Sequence, residues 1–128
     1  MIQGLYVGTL RDRAPLAMVT IRWSSGGMQH TMRCAAILDT GASQSVIYDR
    51  VWYRWLARQH QTALPPGADR YWAQCDVEVE GVAHTRPLPV PRVSISHPGA
   101  EDMLLGQDFL QDYVATFDGP AESWTLRR

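Results

Sequence analysis

Apolar and polar residues alternate along several short stretches of the chain, as they do in β-strands that bury one face. The stretches at residues 17–23 and 32–38 are separated by a turn of two serines and two glycines. The clearest alternation covers residues 73–79, whose apolar members are Ala73, Cys75, Val77 and Val79. The pattern predicts an all-β domain with one or two short helices.

Two segments have the spacing of helices rather than strands. In the first, from Tyr48 to Gln59, apolar residues recur on one helical face, and we expect this face to pack in the core or against another subunit. Its apolar residues are Tyr48, Val51, Trp52, Trp55 and Leu56. The second helix is predicted from about Gln107 to Tyr113, and residues 64–69 form a turn or loop.

Three prolines at a spacing of two, Pro87, Pro89 and Pro91, indicate a strand with an unpaired side. Proline has no N–H to donate, so it is tolerated where the neighbouring strand is missing. We therefore expect an edge strand or an extended loop at this place.

The composition is that of an ordinary globular protein, with 128 residues, 45% hydrophobic and 20% charged. This length fits one domain, residues 1–128, with its own core. The net charge of −1 gives no basic excess for binding nucleic acid. Cys34 and Cys75 are expected to be buried thiols, because small disulfide-bonded scaffolds contain more cysteine.

Residues 1–9 lack the basic start and apolar run of a signal peptide. No apolar stretch approaches the roughly 20 residues that a membrane-spanning helix needs. We expect a cytoplasmic protein without a membrane span, although a chain from which a leader or anchor had been removed would read the same.

The segment most informative about chemistry is residues 37–43, Ile-Leu-Asp-Thr-Gly-Ala-Ser. Asp39 follows directly on an apolar strand, and Gly41 lets the chain turn so that backbone N–H groups can approach the carboxylate. Thr40 can tie the loop to a neighbour through its hydroxyl. Taken alone, Asp-Thr-Gly after a strand is also ordinary β-turn chemistry.

A second element lies about sixty residues downstream, where the apolar run Met103–Leu105 ends at Gly106 and a short helix follows. By itself this is a strand-to-helix turn of many α+β domains. With Leu38–Ala42 and Leu104–Gly106 together, the chain resembles the retropepsin-like aspartic peptidases, single-domain relatives of pepsin. Phe109-Leu110 and residues 115–118 are also similar to cellular and bacterial members, so the resemblance covers nearly the whole chain in element order.

The resemblance implies a closed, retropepsin-like β-barrel that corresponds to half of a pepsin-type fold. Asp39 would be the catalytic aspartate. The Thr40 hydroxyl would contact the second subunit across a dimer axis, a contact called here the hydroxyl grip. Gly41 and Ala42 would support the catalytic loop, and Gly106 would lie in a ψ-shaped arrangement that buttresses it.

The resemblance also assigns regions that contact substrate or a second subunit. Residues 61–72 would form a flap over the substrate, although Pro65-Pro66-Gly67 replaces the glycine-rich tip of viral enzymes. Met1–Val7 and Ser123–Leu126 would contribute to the dimer interface. The residues proposed to contact substrate or to form the flap are Pro66, Gly67, Tyr71, Trp72 and Leu105.

Pepsin-type chemistry needs two neighbouring carboxylates, and the chain has one Asp-Thr-Gly motif. The sequence therefore predicts an aspartic endopeptidase that acts on polypeptides as a homodimer with an Asp39/Asp39 pair. The alternative is an inactive retropepsin-fold module that binds peptides or dimerises. A general β-barrel binding domain with a fortuitous turn is a third interpretation.

Other candidate sites carry weaker signals, and we expect no metal and no cofactor. The histidines lack metal-ligand spacing and are expected on the surface or in loops; they are His30, His60, His84 and His97. Ser43 and Ser45 are not in a nucleophile elbow. Asp108 is expected to tie a loop or to provide a helix N-terminal charge rather than to act as a second catalytic acid.

Overall fold

The computed structural model describes residues 1–7, 13–25, 27–48, 51, 54, 71–93 and 101–128. Its strands are β1 (Ile2–Val7), β2 (Ala14–Ser25), β3 (Met28–Leu38), β4 (Val46–Tyr48), β5 (Tyr71–Val79), β6 (Val82–Ala83), β7 (Leu88–Val93), β8 (Met103–Leu105), β9 (Val114–Asp118) and β10 (Ser123–Arg127), with a short helix α1 (Gln107–Leu110) between β8 and β9. Within these residues, no helix has the length and apolar character needed to cross a membrane.

The sheet closes on itself. Strand β5 pairs with both β7 and β2, and the further pairings run from β7 through β4, β8 and β3 back to β2. Six strands thus form a closed circuit, from which β1, β10 and β9 extend beyond β2. The predicted class, all-β with a barrel-like sheet and a short helix, is confirmed.

The core is formed by alternate residues of the barrel strands, as the sequence pattern predicts. On β2, β3 and β5 these include Val19, Ile21, Cys34, Ala36, Val77 and Val79, all buried. Cys34 and Cys75 are buried thiols, as expected. Burial raises the pKa of each thiol to about 12, with a smaller contribution in the same direction from Asp102 for Cys34 and from Asp76 for Cys75.

The proline-containing strand is internal, so the prediction of an edge strand or loop was wrong. Strand β7 pairs with β5 through Leu88, Pro89 and Pro91, and with β4 through Arg92 and Val93. The two pairings use different parts of β7. Among the described strands, Pro89 and Pro91 pair with β5 only, so their missing N–H groups are tolerated.

The first predicted helix begins later than the sequence pattern indicated. Tyr48 ends strand β4, which the sequence analysis did not identify, and Val51 and Arg54 have helical backbone. Tyr48 and Val51 are both buried, in agreement with a role in packing. Tyr71 and Trp72 begin β5, whereas Pro66, Gly67 and most of the expected flap lie outside the described residues.

The two ends of the chain pair with each other. Strand β1 is antiparallel to β10, with Gly4 opposite Trp124. The Trp124 indole is buried and donates a hydrogen bond to the Leu16 carbonyl at 3.1 Å. A Cβ on Gly4 would overlap the indole ring, so glycine at this position allows the tryptophan to pack closely against β1.

We expect Gly4→Ala to lower the free energy of unfolding by about 1–3 kcal/mol, the range found when a packed core is overfilled. The Trp124 ring is fixed by its hydrogen bond and cannot retreat without loss of that bond. Gly119→Ala is the matched control, because a Cβ there meets no atom within 4 Å. Urea denaturation measures both variants, and equal stability would contradict this account of Gly4.

Candidate active site

Strand β8 lies between two strands that are consecutive in the described chain order, β3 and β4. It runs parallel to β3, with Leu105 beside Leu38, and antiparallel to β4, with Met103 beside Ile47. The loop of residues 39–45 therefore has to pass over the end of β8. The resemblance predicts a ψ-shaped arrangement at this part of the barrel.

Asp39 begins this loop at the end of β3. Its backbone N–H donates to the Leu105 carbonyl at 2.9 Å, which continues the β3–β8 pairing by one residue. The Ala42 N–H donates to the Asp39 carbonyl at 3.3 Å and closes the turn. The direction in which the chain leaves the barrel is thus fixed by main-chain hydrogen bonds.

The Asp39 carboxylate is held by the backbone of its own loop. The Gly41 N–H donates to Asp39 Oδ1 at 2.9 Å. A Cβ on Gly41 would lie 3.2 Å from the same oxygen, a tight contact that glycine avoids. Asp39 is half-buried, and Thr40 and Gly41 are exposed. The carboxylate therefore lies at the barrel surface in an orientation set by the main chain.

Gly106 packs closely against the backbone of the loop. A Cβ at this position would lie 2.7 Å from the Ala42 carbonyl oxygen and 2.8 Å from the Gln44 carbonyl. These are backbone atoms, which cannot rotate away as a side chain does. The next residue, Gln107, donates its backbone N–H to the Ala42 carbonyl at 2.8 Å. The apposition of the two motifs therefore requires glycine at position 106.

Leu105 is not placed as the sequence analysis expected. Its side chain is fully buried in the core, because β8 is paired on both sides and alternate residues of β8 point inward. The half-buried residue of this strand is Leu104. The assignment of Leu105 to substrate contact was therefore wrong.

Ser45 has a structural role in the site that its sequence context did not predict. It is fully buried, and its backbone N–H and hydroxyl donate to Asp108 Oδ1 at 2.9 and 2.6 Å. The same hydroxyl accepts the Gly106 N–H at 3.0 Å. Asp108 thus ties the loop to α1, as expected. The available signal was a small hydroxyl residue in the loop together with an acid two residues after Gly106.

A polar cluster supports α1 on its other side. Arg86 donates to the Asp108 carbonyl at 2.5 Å and to Asp112 Oδ2 at 2.8 Å. His84 belongs to the same cluster: its Nδ1 lies 2.9 Å from the Tyr113 hydroxyl, and its Nε2 lies 3.2 Å from Asp112 Oδ2. Burial lowers the pKa of His84, and the Asp112 carboxylate acts in the opposite direction. His84 is in a loop, as expected for the histidines, but its side chain is buried, which the sequence did not predict.

In the described part of the chain, no group of three or more His, Cys, Asp or Glu side chains could hold a metal ion. His60 and His97 lie outside the described residues. The absence of a cofactor stays a prediction.

No family model matches the chain, and no curated protein matches it. Among solved structures, it is similar to the retroviral protease-like domain of Ddi1 from Leishmania major, with 16% sequence identity and a TM-score of 0.49. The match covers 88% of this chain and 90% of that domain. The likeness is one of backbone course, and nothing about activity follows from it.

We expect Ser45→Ala to lower the free energy of unfolding by about 1–3 kcal/mol, because it leaves the buried Gly106 N–H without this acceptor. Ser43→Ala is the matched control, since Ser43 is exposed in the same loop and its loss should change stability by no more than about 0.5 kcal/mol. Urea denaturation of both variants measures the difference, and similar values for the two would contradict the role assigned to Ser45.

Proposed function

We propose that the protein is an aspartic endopeptidase that hydrolyses peptide bonds as a homodimer, with one Asp39 from each chain. The observation that supports this most directly is the geometry of the Asp39 loop. A carboxylate at the end of a core strand is oriented by the Gly41 N–H, in a loop that closes over Gly106. An ordinary surface turn has no need of such close backbone support.

The proposed chemistry divides two roles between two carboxyl groups. Two carboxylates a few ångströms apart cannot both ionise readily, so the pair holds a single proton. The ionised group accepts a proton from the attacking water, and the protonated group donates to the oxygen of the scissile carbonyl. A single Asp39 cannot perform both roles at once. A twofold axis beside the loop would supply the second group.

The exposure of the loop supports the proposal of a second chain. Thr40 and Gly41 are exposed in one chain, although the inner side of the loop is bonded to the barrel. In the proposed dimer, Thr40 makes the hydroxyl grip across the axis.

The outer surface of the terminal strands provides apolar area for such contacts. Its large exposed residues are Met1, Leu5, Val7 and Val114. Trp124 and Leu126 are buried within the chain, so an interface at the termini would use their exposed neighbours. Burying apolar area of this kind is favourable by about 25 cal/mol per Å².

The proposed substrate is an extended polypeptide that lies across the two loops. The flap would come from residues 61–72, with Pro66, Gly67, Tyr71 and Trp72 as its proposed contact residues. Apolar strand ends beside the two motifs favour apolar side chains on either side of the cleaved bond.

Asp39→Asn is expected to abolish cleavage of a peptide library, with a loss of about a thousandfold or more, because neither water activation nor carbonyl protonation remains. Asp76→Asn removes an exposed carboxylate from β5 and is the matched control, with unchanged cleavage. Both variants are compared by circular dichroism and by molecular mass in solution.

Mixing the two proteins tests whether the site is shared. An excess of Asp39→Asn should quench the wild-type protein, because most wild-type chains would then be in dimers with one carboxylate. Activity that stays proportional to the wild-type concentration, or hydrolysis by a strict monomer, would contradict the shared site. No cleavage by a verified wild-type dimer would favour the peptide-binding or dimerisation module instead.

Ala42→Ser is expected to move the acid limb of the pH–rate profile to lower pH. The Ala42 N–H donates a hydrogen bond to the Asp39 carbonyl, so residue 42 belongs to the same turn as the Asp39 carboxylate. A hydroxyl there can donate to the carboxylate and stabilise its ionised form. With alanine, we expect activity at mildly acidic to near-neutral pH. Ala83→Ser, at an exposed position on β6, is the control. An acid limb that does not move would refute the effect of residue 42.

A further inference from the structure

The peptide group between Thr40 and Gly41 is hydrogen-bonded at both of its polar ends. Its N–H, from Gly41, donates to Asp39 Oδ1 at 2.9 Å. Its C=O, from Thr40, accepts a hydrogen bond from the side-chain amide of Gln107, with Nε2 at 2.8 Å. A peptide group is a rigid plane, so its two ends cannot reorient separately. The Gln107 side chain is therefore coupled to the carboxylate through one planar unit.

We propose that Gln107 is a positioning residue for Asp39, and this proposal rests on the proposed aspartic peptidase function. By holding the Thr40 carbonyl, Gln107 keeps the Gly41 N–H directed at Asp39 Oδ1. Rotation of the peptide group would break both hydrogen bonds together. Donation to the carbonyl also polarises the amide, which strengthens the hydrogen bond that its N–H donates to the carboxylate.

Gln107 is exposed to solvent, but its backbone is held in place by hydrogen bonds and by the helix. Its backbone N–H donates to the Ala42 carbonyl at 2.8 Å. The same helix is anchored in the core by Phe109 and Leu110 and is held by Arg86 through the Asp108 carbonyl. Gln107 thus contacts the loop twice, once on each side of Gly41, and the span between the two contacts is held in one conformation.

An exposed glutamine whose amide merely faces water would behave differently. Its replacement usually changes stability by less than about 0.5 kcal/mol and alters no other group. A positioning role predicts a change confined to the Gly41 amide and the carboxylate that it contacts. The amide proton of Gly41 therefore reports on the interaction whether or not the protein cleaves peptides.

The experiment follows the Gly41 amide by ¹H–¹⁵N NMR in Gln107→Leu, in the 128-residue protein. We expect an upfield shift of its proton and hydrogen exchange about tenfold faster or more, as for a weakened hydrogen bond. Gln111→Leu is the matched control. It removes the same side chain from the residue after the helix, where the amide donates to the Asp108 carbonyl at 3.3 Å. Its Gly41 signal should match the wild type.

Kinetics give the second measurement. In Gln107→Leu we expect kcat to fall about tenfold with KM unchanged, because a small misplacement of a catalytic group slows chemistry rather than binding. Gln107→Lys keeps a donor at this position and should recover most of the rate. An altered Gly41 amide in a protein without peptidase activity would refute the proposed function and support the positioning role. An unchanged Gly41 amide in Gln107→Leu would overturn the positioning role whatever the activity.

Discussion

The structure of the site depends on the close approach of Gly106 to the backbone of the Asp39 loop. A Cβ at position 106 would come within 2.7 Å of the Ala42 carbonyl oxygen, so no other residue fits without moving the loop. Because β8 is held between β3 and β4, Gly106 cannot recede to make room. The loop is consequently shaped by a strand that is distant in sequence, and a local turn preference alone would not fix its conformation.

The closed circuit of strands explains why this approach can be maintained. Strand β8 has three residues and would be a weak element by itself, but it is paired on both sides and its inward side chains are fully buried. Beyond it, Asp108 and Ser45 connect the helix to the loop, and Arg86 holds the helix from the other side. Hydrogen bonds thus connect the barrel to the loop that carries the carboxylate, and the bond from the Gly106 N–H to the Ser45 hydroxyl is buried.

The sequence predicts those features that are encoded by neighbouring residues. The alternation at residues 73–79, the apolar run into Asp39 and the Gly106 turn are local, and the structure has each of them. Features that depend on pairing between distant strands were missed. The internal position of β7, the burial of Leu105 and the buried His84 all follow from neighbours that no local pattern specifies. The same reason hid Ser45, whose partner Asp108 is 63 residues away.

In the proposed enzyme, the hydrogen bonds that shape the Asp39 loop come from one chain, whereas catalysis needs a group from a second chain. The inner side of the loop is satisfied by Leu105, Gln107 and the turn itself, all within one chain. The terminal strands β1 and β10 also pair with each other within one chain. The proposed chemistry needs a second carboxylate opposite Asp39, which a second chain would supply. Dimerisation would therefore be required by the chemistry rather than by the fold, and dissociation would remove activity while leaving the barrel folded.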